Sequence, residues 1–542
     1  MKPALKIILL VLAILFVCYL HLWGIDRLVM GSDELHPART LISSDWSLVN
    51  YPWPEQAVRE YYDNWPIQFP PLFGLSIRAC VVLIGVNHVA MRLIPALFSL
   101  LAVWSFYWLF KTYLGRTWGA VAALTLGMTS DKLLIYAKSL KHYTLDVFFA
   151  STLWVCGRYV GEKFDLKSWI LFTLVAAVSI WFAFAALYVV AAVYLYLFVR
   201  YVWFKAYRQQ QFWTKILISG AVFTASFAGL YLVSIAKAVT NPVFIQEWLV
   251  QIFHWDKLTD LGYVAHYILH TGKHVLILPA YFFFDAWWVA IIGNALILIW
   301  IVDRLRRRNW DLVFLMVSPL LLVLMASLAG KYPFSAGRLT LFLLPSWSLM
   351  MILGGRIVYE RIRAWNLTGS RIAVGILVLV ILWAVDINFT KVTRLKYAGG
   401  RRVDQMMYTL KEQARDGDTV YLHWGSILPF YFYYTDHQPG YQSVYTTPAD
   451  SGQLHVIWGE EHTLHPERNI PLFNRIENVP GRLWIAFGHL WPTADMLQLK
   501  EQLDNHRVLL KEIKFKGCRL LLYDRLDQSQ KTGELSTLES KE

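Results

Sequence analysis

Residues 185–215 read Ala185-Ala-Leu-Tyr188-Val-Val-Ala-Ala-Val-Tyr-Leu-Tyr-Leu-Phe-Val-Arg200-Tyr-Val-Trp-Phe-Lys205-Ala-Tyr-Arg208-Gln-Gln-Gln-Phe-Trp-Thr-Lys215. The apolar run 185–204 ends in a basic cluster, and a second run, 213–236, starts beside it. A helix of roughly 20 residues crosses the hydrocarbon of a bilayer and satisfies its own backbone there. A short loop rich in Lys and Arg between two such runs marks the cytoplasmic side. This stretch reads as two spans joined inside the cell, and the rest of the chain repeats the pattern.

Further apolar runs fall at 5–23, 89–110, 117–135, 145–160, 168–184, 276–302, 311–330, 339–357 and 372–388. The run 117–135 is interrupted by Asp131 and Lys132. Leu72–Val86, after Pro70-Pro71, reads as either a span or an interfacial helix. Charge decides. With Leu72–Val86 in the interface and the N-terminus inside, every strongly basic short loop lands inside: Lys111 and Arg116; Arg158, Lys163 and Lys167; the cluster quoted above; Arg304 to Arg308; Arg356 to Arg371. The expected fold is an α-helical polytopic membrane protein of about eleven spans, with interfacial helices in its outer loops. Leu5–Trp23 lacks a small-residue cleavage site and reads as a retained helix.

Composition agrees. Of the 542 residues 56% are hydrophobic and 16% charged, against roughly a quarter charged in soluble domains. That excludes a disordered chain and a disulfide scaffold. Cys18, Cys80, Cys156 and Cys518 form no zinc spacing. No GxGxxG or Walker loop occurs. Topology accounts for much of the +13 net charge, so no nucleic-acid partner is expected. Character changes near Asn388. Arg402–Ala414 reads as a helix, and Thr419–Trp424, Arg482–Phe487 and Arg507–Tyr523 as strands. The expected division is 1–389, a membrane domain, and 390–542, a small extracytoplasmic α/β domain.

The outer loops 24–70, 136–145, 238–275 and 331–338 carry the chemistry. The first opens Gly-Ser-Asp33-Glu34. A carboxylate there can take a proton from an acceptor, or the pair can simply cap a helix. Tyr136-Ala-Lys138-Ser-Leu-Lys141-His142-Tyr143-Thr-Leu-Asp146 sets cations, tyrosines and an acid on the side where basic residues are scarce. It reads as an anion site with a second carboxylate, or as a solvated connector with snorkelling lysines. Lys331-Tyr332-Pro333-Phe-Ser-Ala-Gly337-Arg338 places another guanidinium there, for a phosphate or for lipid headgroups. His266, His270 and His274 share one helix face, either as metal ligands or as an interfacial helix. Arg92 and Asp285 lie near or within spans, where charge is costly.

A lipid-borne donor fits these loops better than a free nucleotide sugar. A polyprenyl phosphate leaves without a general acid, because its second pKa is about 6. It needs cations for the charge that builds on it, and one carboxylate for the acceptor proton. Asp33-Glu34 after the first span, Phe69-Pro70-Pro71-Leu72, Arg92-Leu-Ile-Pro95, Lys141-His-Tyr143-Thr-Leu-Asp146, Tyr332-Pro333-Phe334 with Gly337-Arg338, and Pro345 occur in this order. Over residues 5–390 the sequence resembles the GT-C polyprenyl-phosphate-sugar glycosyltransferases, near the dolichyl-phosphate-mannose protein mannosyltransferases and the bacterial lipid A aminoarabinose transferases.

The resemblance implies a GT-C fold and an inverting displacement. It implies Asp33 as acceptor-activating base, Glu34 assisting, and Asp146 as a second acid. Lys138, Lys141, Tyr143 and Arg338, joined by Tyr332 of the same motif, would surround the donor phosphate. Implied partners are a polyprenyl-phosphate sugar, a lipid, glycan or protein acceptor, and membrane lipids. A divalent metal ion is a possible cofactor. The implied location is a bacterial inner membrane with the site on its outer face. The rival reading is a transporter or flippase of lipid-linked saccharides, which would put its charges at mid-membrane.

Overall fold

The computed structural model of the protein describes residues 3–26, 69–204, 211–236, 251–283, 286–365, 367–394, 402–434, 454–458, 476, 479–488 and 494–525. These fall into two units, one within 3–394 and one within 402–525.

The first unit is helical. It comprises α1 (Pro3–Leu22), α2 (Pro71–Ile84), α3 (His88–Thr129), α4 (Asp131–Ala137), α5 (Tyr143–Lys163), α6 (Leu166–Phe182), α7 (Ala186–Phe204) and α8 (Gln211–Leu230). Then follow α9 (Leu261–Phe283), α10 (Trp287–Arg306), α11 (Trp310–Leu328), a 3₁₀ turn Arg338–Leu343 running into α12 (Leu344–Trp365), and α13 (Leu367–Thr393). Seven stretches among the described residues are long and apolar enough to cross a membrane: those of α1, α3, α8, α10, α11, α12 with its 3₁₀ turn, and α13. The helices α6 and α7 are shorter and equally apolar. Large apolar side chains such as Leu12, Leu171, Leu217, Leu298 and Leu379 face outward, as expected where lipid is the solvent.

The helix α3 shows how a long apolar run becomes two spans. Asn87 caps it, accepting from the Ala90 N–H at 2.8 Å. Gly115 sits at φ 81°, where the chain turns back on itself. Gly119 then faces the Lys111 backbone so closely that a Cβ would lie 2.6 Å from it. Gly127 meets Val103 in the same way. Small residues let membrane helices approach closely, where no hydrophobic force drives them together. The pattern recurs at Gly157 against Val193 and at Gly354 against Leu296.

The polarity breaks in the sequence become caps and pairs. The run 117–135 stops at Thr129, and Ser130 starts α4, with its hydroxyl donating to Phe282 O at 3.0 Å. Asp131, buried, receives the Lys391 ammonium at 2.9 Å. Asn388 donates to Met128 O at 3.0 Å. The sequence reading 276–302 as one span needs correction. The chain forms two helices there, α9 beginning fifteen residues earlier at Leu261 and α10 starting anew at Trp287. His270 and His274 are half-buried on the inner side of α9, whereas His266 and Lys273 are exposed together with Leu261, Ile268, Leu269 and Leu276.

Cross-contacts sort the connections into two ends. At one, Arg200 pairs with Asp311 at 3.1 Å, Lys215 donates to Phe164 O at 3.0 Å, and Arg158 stacks on Tyr113. These are the basic connections. At the other, Tyr136 meets Tyr281, Tyr188 meets Tyr332, and Phe334 N–H donates to Gln251 O.

The second unit is α/β. It holds α14 (Val403–Gln413), β1 (Thr419–Leu422), α15 (Trp424–Pro429), β2 (His455–Trp458), β3 (Leu483–Phe487), α16 (Ala494–His506), β4 (Arg507–Phe515) and β5 (Cys518–Arg525). The sheet order is β2-β1-β3-β5-β4. β1 runs parallel to β2 and β3, and β5 antiparallel to β3 and β4. Its core holds Tyr421, Ile485, Phe487, Leu503, Leu521 and Tyr523. Asp418, buried, accepts from the Trp484 indole at 2.8 Å and from Arg415 N–H at 2.9 Å.

Candidate active site

The turn 138–142 and the start of α5 form the floor of the site. Thr144 anchors them, donating to Pro95 O in α3 at 2.9 Å. Asp146 sits in the first turn of α5 with 3% of its surface exposed. It accepts from the Ala185 backbone N–H. Its Oδ1 has no hydrogen-bond partner among the described residues.

His142 lies one turn back, with Nε2 3.7 Å from Asp146 Oδ2. The contact is not an ion pair. Burial pushes the imidazole down to about 3, and the charges of Lys141 and Arg338 push the same way. His142 is a neutral spacer, wedged among Phe73, Tyr143 and Phe184. Arg338 of the 331–338 loop lies near enough for its charge to act on the ring.

Tyr332 and Arg338 come from that loop. Tyr332 donates to Leu339 O at 3.0 Å and packs edge-on against Tyr188 with centroids 5.0 Å apart. Enclosure raises its hydroxyl well above the ordinary value, and Tyr188, Asp146 and Tyr143 add to the shift. It therefore stays a neutral donor. Tyr143, buried, packs edge-on against Tyr136 at 4.8 Å. Lys138 is 2% exposed, and burial lowers its ammonium to about 7. Its charge acts on His21 of α1, whereas Lys141 and Arg338 act on His142.

Six of the residues singled out in the sequence therefore gather at one end of the bundle. Lys141 and Arg338 act on His142, which touches Asp146 and Tyr143; Asp146 and Tyr143 act in turn on Tyr332, and Lys138 acts on His21 of α1. Asp33, Glu34 and Asp285 lie outside the described residues. Arg92 is buried and donates to Ile25 O at 3.3 Å, tying α3 to the end of α1. Sequence reasoning missed Tyr188, which sits in mid-run in the stretch quoted first. Its only signal was polarity at the edge of a span.

Among the described residues no group of three or more carboxylate, imidazole or thiolate side chains could hold a metal ion. Asp146 and His142 alone are too few for a divalent cation, which takes about six oxygen ligands or four mixed ones.

A family model described as dolichyl-phosphate-mannose-protein mannosyltransferase matches residues 68–229. That span runs from the Phe69-Pro70-Pro71 turn to the end of α8. A search of curated proteins gives no match. Among solved structures, ArnT from Cupriavidus metallidurans bound to undecaprenyl phosphate is similar, with a TM-score of 0.50 and 12% identity, covering 97% of this chain and 99% of that one. The oligosaccharyltransferase of Archaeoglobus fulgidus in its apo form is similar too, with a TM-score of 0.53 and 12% identity, covering 89% and 70%. Identities this low speak for fold. The family match covers the segment that carries Lys138 to Asp146, and over the rest of the chain the likeness is one of fold.

Proposed function

We propose that the chain transfers a sugar from a polyprenyl phosphate to an acceptor at the extracytoplasmic face of the membrane. The observation that carries this is the meeting of Asp146, Tyr143, Tyr332, Lys141 and Arg338 around the neutral His142 at one bundle end. The opposite end holds the basic loops that the topology rule assigns to the cytoplasm. The ArnT structure, of similar fold, holds undecaprenyl phosphate, and a lipid tail would lie against the apolar outer surface of such a bundle.

In this reading Arg338 and Lys141 hold the phosphate and the Tyr143 hydroxyl donates to it, with Tyr332 walling the site through its bond to Leu339 O and Lys138 behind them. The acceptor oxygen attacks the anomeric carbon from the face opposite the phosphate. The bond from that carbon to the phosphate oxygen breaks, and its electron pair stays on the departing polyprenyl phosphate. The acceptor proton goes to Asp33, assisted by Glu34. Asp146 orients the acceptor as a second acid. No acid is needed for the leaving group, unlike in glycoside hydrolysis, where an alkoxide must be protonated. The membrane unit, 1–389 in the sequence division, carries the chemistry. The acceptor is a lipid, glycan or protein, and the membrane is a bacterial inner one.

The test is incubation of the protein in nanodiscs with polyprenyl-phosphate sugars, with mass spectrometry of released polyprenyl phosphate and glycosylated acceptor. Release that stops in Asp33→Asn supports the reading. Donor that crosses the bilayer intact in proteoliposomes, with no phosphate released, replaces it with a flippase.

A further inference from the structure

The helix α9 places His270 and His274 one turn apart on its inner side. Their Nε2 atoms are 3.0 Å apart, and His274 Nδ1 lies 3.0 Å from the Ala336 backbone nitrogen. The second contact fixes the protons. A backbone amide can only donate, so His274 Nδ1 accepts and carries no hydrogen. Neutral His274 then bears its hydrogen on Nε2 and donates it to His270 Nε2. His270 in turn keeps its hydrogen on Nδ1. Burial, together with His266 and Lys273, favours the neutral form of His270, and burial, His270 and Lys273 do the same for His274. The same assignment argues against a metal here, because the Nε2 lone pair of His274 is occupied by its hydrogen.

Ala336 is two residues before Arg338. Between them Gly337 N–H donates to Thr340 Oγ1 at 3.3 Å, and Thr340 Oγ1 donates to Ser335 O at 2.9 Å. At the other side of the loop, Phe334 N–H donates to Gln251 O at 3.0 Å. The loop is thus closed on itself, and His274 is its side-chain tie to α9. That imidazole acceptor holds the loop at Ala336, two residues before Arg338, while Phe334 holds it to Gln251.

We propose that His274, held in its accepting tautomer by His270, is a positioning residue that fixes the 331–338 loop so that Arg338 and Tyr332 face the donor phosphate. This rests on the donor reading given above. His270 acts through His274, and neither ring touches substrate. Removing the acceptor at 270 lets His274 switch its hydrogen to Nδ1, which faces the Ala336 N–H and breaks the tie.

The test compares His274→Phe, His270→Leu and His270→Gln with the unaltered protein in nanodiscs. A glutamine oxygen replaces Nε2 as acceptor, so His270→Gln retains the tie and His270→Leu does not. Amide hydrogen exchange over 331–340 is read first. About tenfold faster exchange is expected in His274→Phe and His270→Leu, and unchanged exchange in His270→Gln, for loss of one hydrogen bond. Binding of decaprenyl phosphate is read second, with about tenfold weaker affinity in the same two variants. Equal exchange in His270→Leu and His270→Gln overturns the proposal, as does faster exchange with unaltered affinity. His270 does not contact the loop, so this pair decides even if His274→Phe fails to fold. Absence of sugar transfer by the unaltered protein would sink the functional reading while leaving the exchange result to judge the tie.

Discussion

Lys138 and Arg338 are both cations, yet their surroundings make them different tools. Arg338 keeps its charge at any working pH, whereas burial lowers Lys138 to about 7. A bound phosphate restores the ammonium, so binding takes up a proton whenever the empty site has lost it. Affinity for polyprenyl phosphate should therefore fall as pH rises from 7 to 9, by up to tenfold per unit. The phosphate is already fully ionised in that window, His142 is neutral throughout it, and Tyr332 stays protonated. Titration calorimetry across this range should show the slope in the unaltered protein and none in Lys138→Met. Arg338→Ala should weaken binding at every pH, by about 10- to 100-fold, as for loss of charge-assisted hydrogen bonds. Asp146→Asn should leave the protein folded and lower sugar transfer by about 100-fold, on the scale of a misplaced acceptor; transfer above a tenth of the original rate would remove Asp146 from the mechanism.

At the scale of elements, the hairpin within α3 and the Asp131–Lys391 tie set where the site's floor lies. Gly119→Leu has no room beside the Lys111 backbone, so the two halves of α3 must part. Its melting temperature in detergent should drop sharply, while Gly375→Leu, at a position with nothing within 4 Å, should melt like the original. Asp131→Asn removes the charge that receives Lys391, and should cost about 2 kcal/mol, the range for a hydrogen bond to a charged group. In the second unit one helix and two strands were legible, whereas the run Arg507–Tyr523, read as one strand, folds at Lys516-Gly517 into β4 and β5. Arg402–Ala414 and Thr419–Trp424 became α14 and β1 within a few residues. The spacing of His266, His270 and His274 was legible as one helix face, but its continuity with the apolar run from 276 was not, because the exposed His266 and Lys273 break the polarity pattern along the chain.

For the whole molecule, the basic connections at one end and the site at the other make a topological prediction. In a background with the four cysteines replaced, Arg308→Cys should react with a membrane-impermeant maleimide only after the cells are opened, and Lys331→Cys in intact cells. The reverse pattern would invert the orientation and with it the assignment of the site to the outer face.

The sequence by itself determined that this chain is a bundle of membrane helices, because hydrocarbon admits only backbone that closes its own hydrogen bonds, and apolar length records where that happens. It also marked the outer loops as the place for chemistry, because cations there oppose the usual distribution of charge. Only the tertiary structure decided which of those residues meet. Lys141, Arg338, Tyr332 and Asp146 are up to about 200 residues apart in the chain, and their coupling depends on helix packing and loop closure, neither of which leaves a period in the sequence. The opposed roles of Lys138 and His142, one a cation near its switching point and the other a neutral ring, were equally invisible, because desolvation is a property of the neighbours a folded chain supplies.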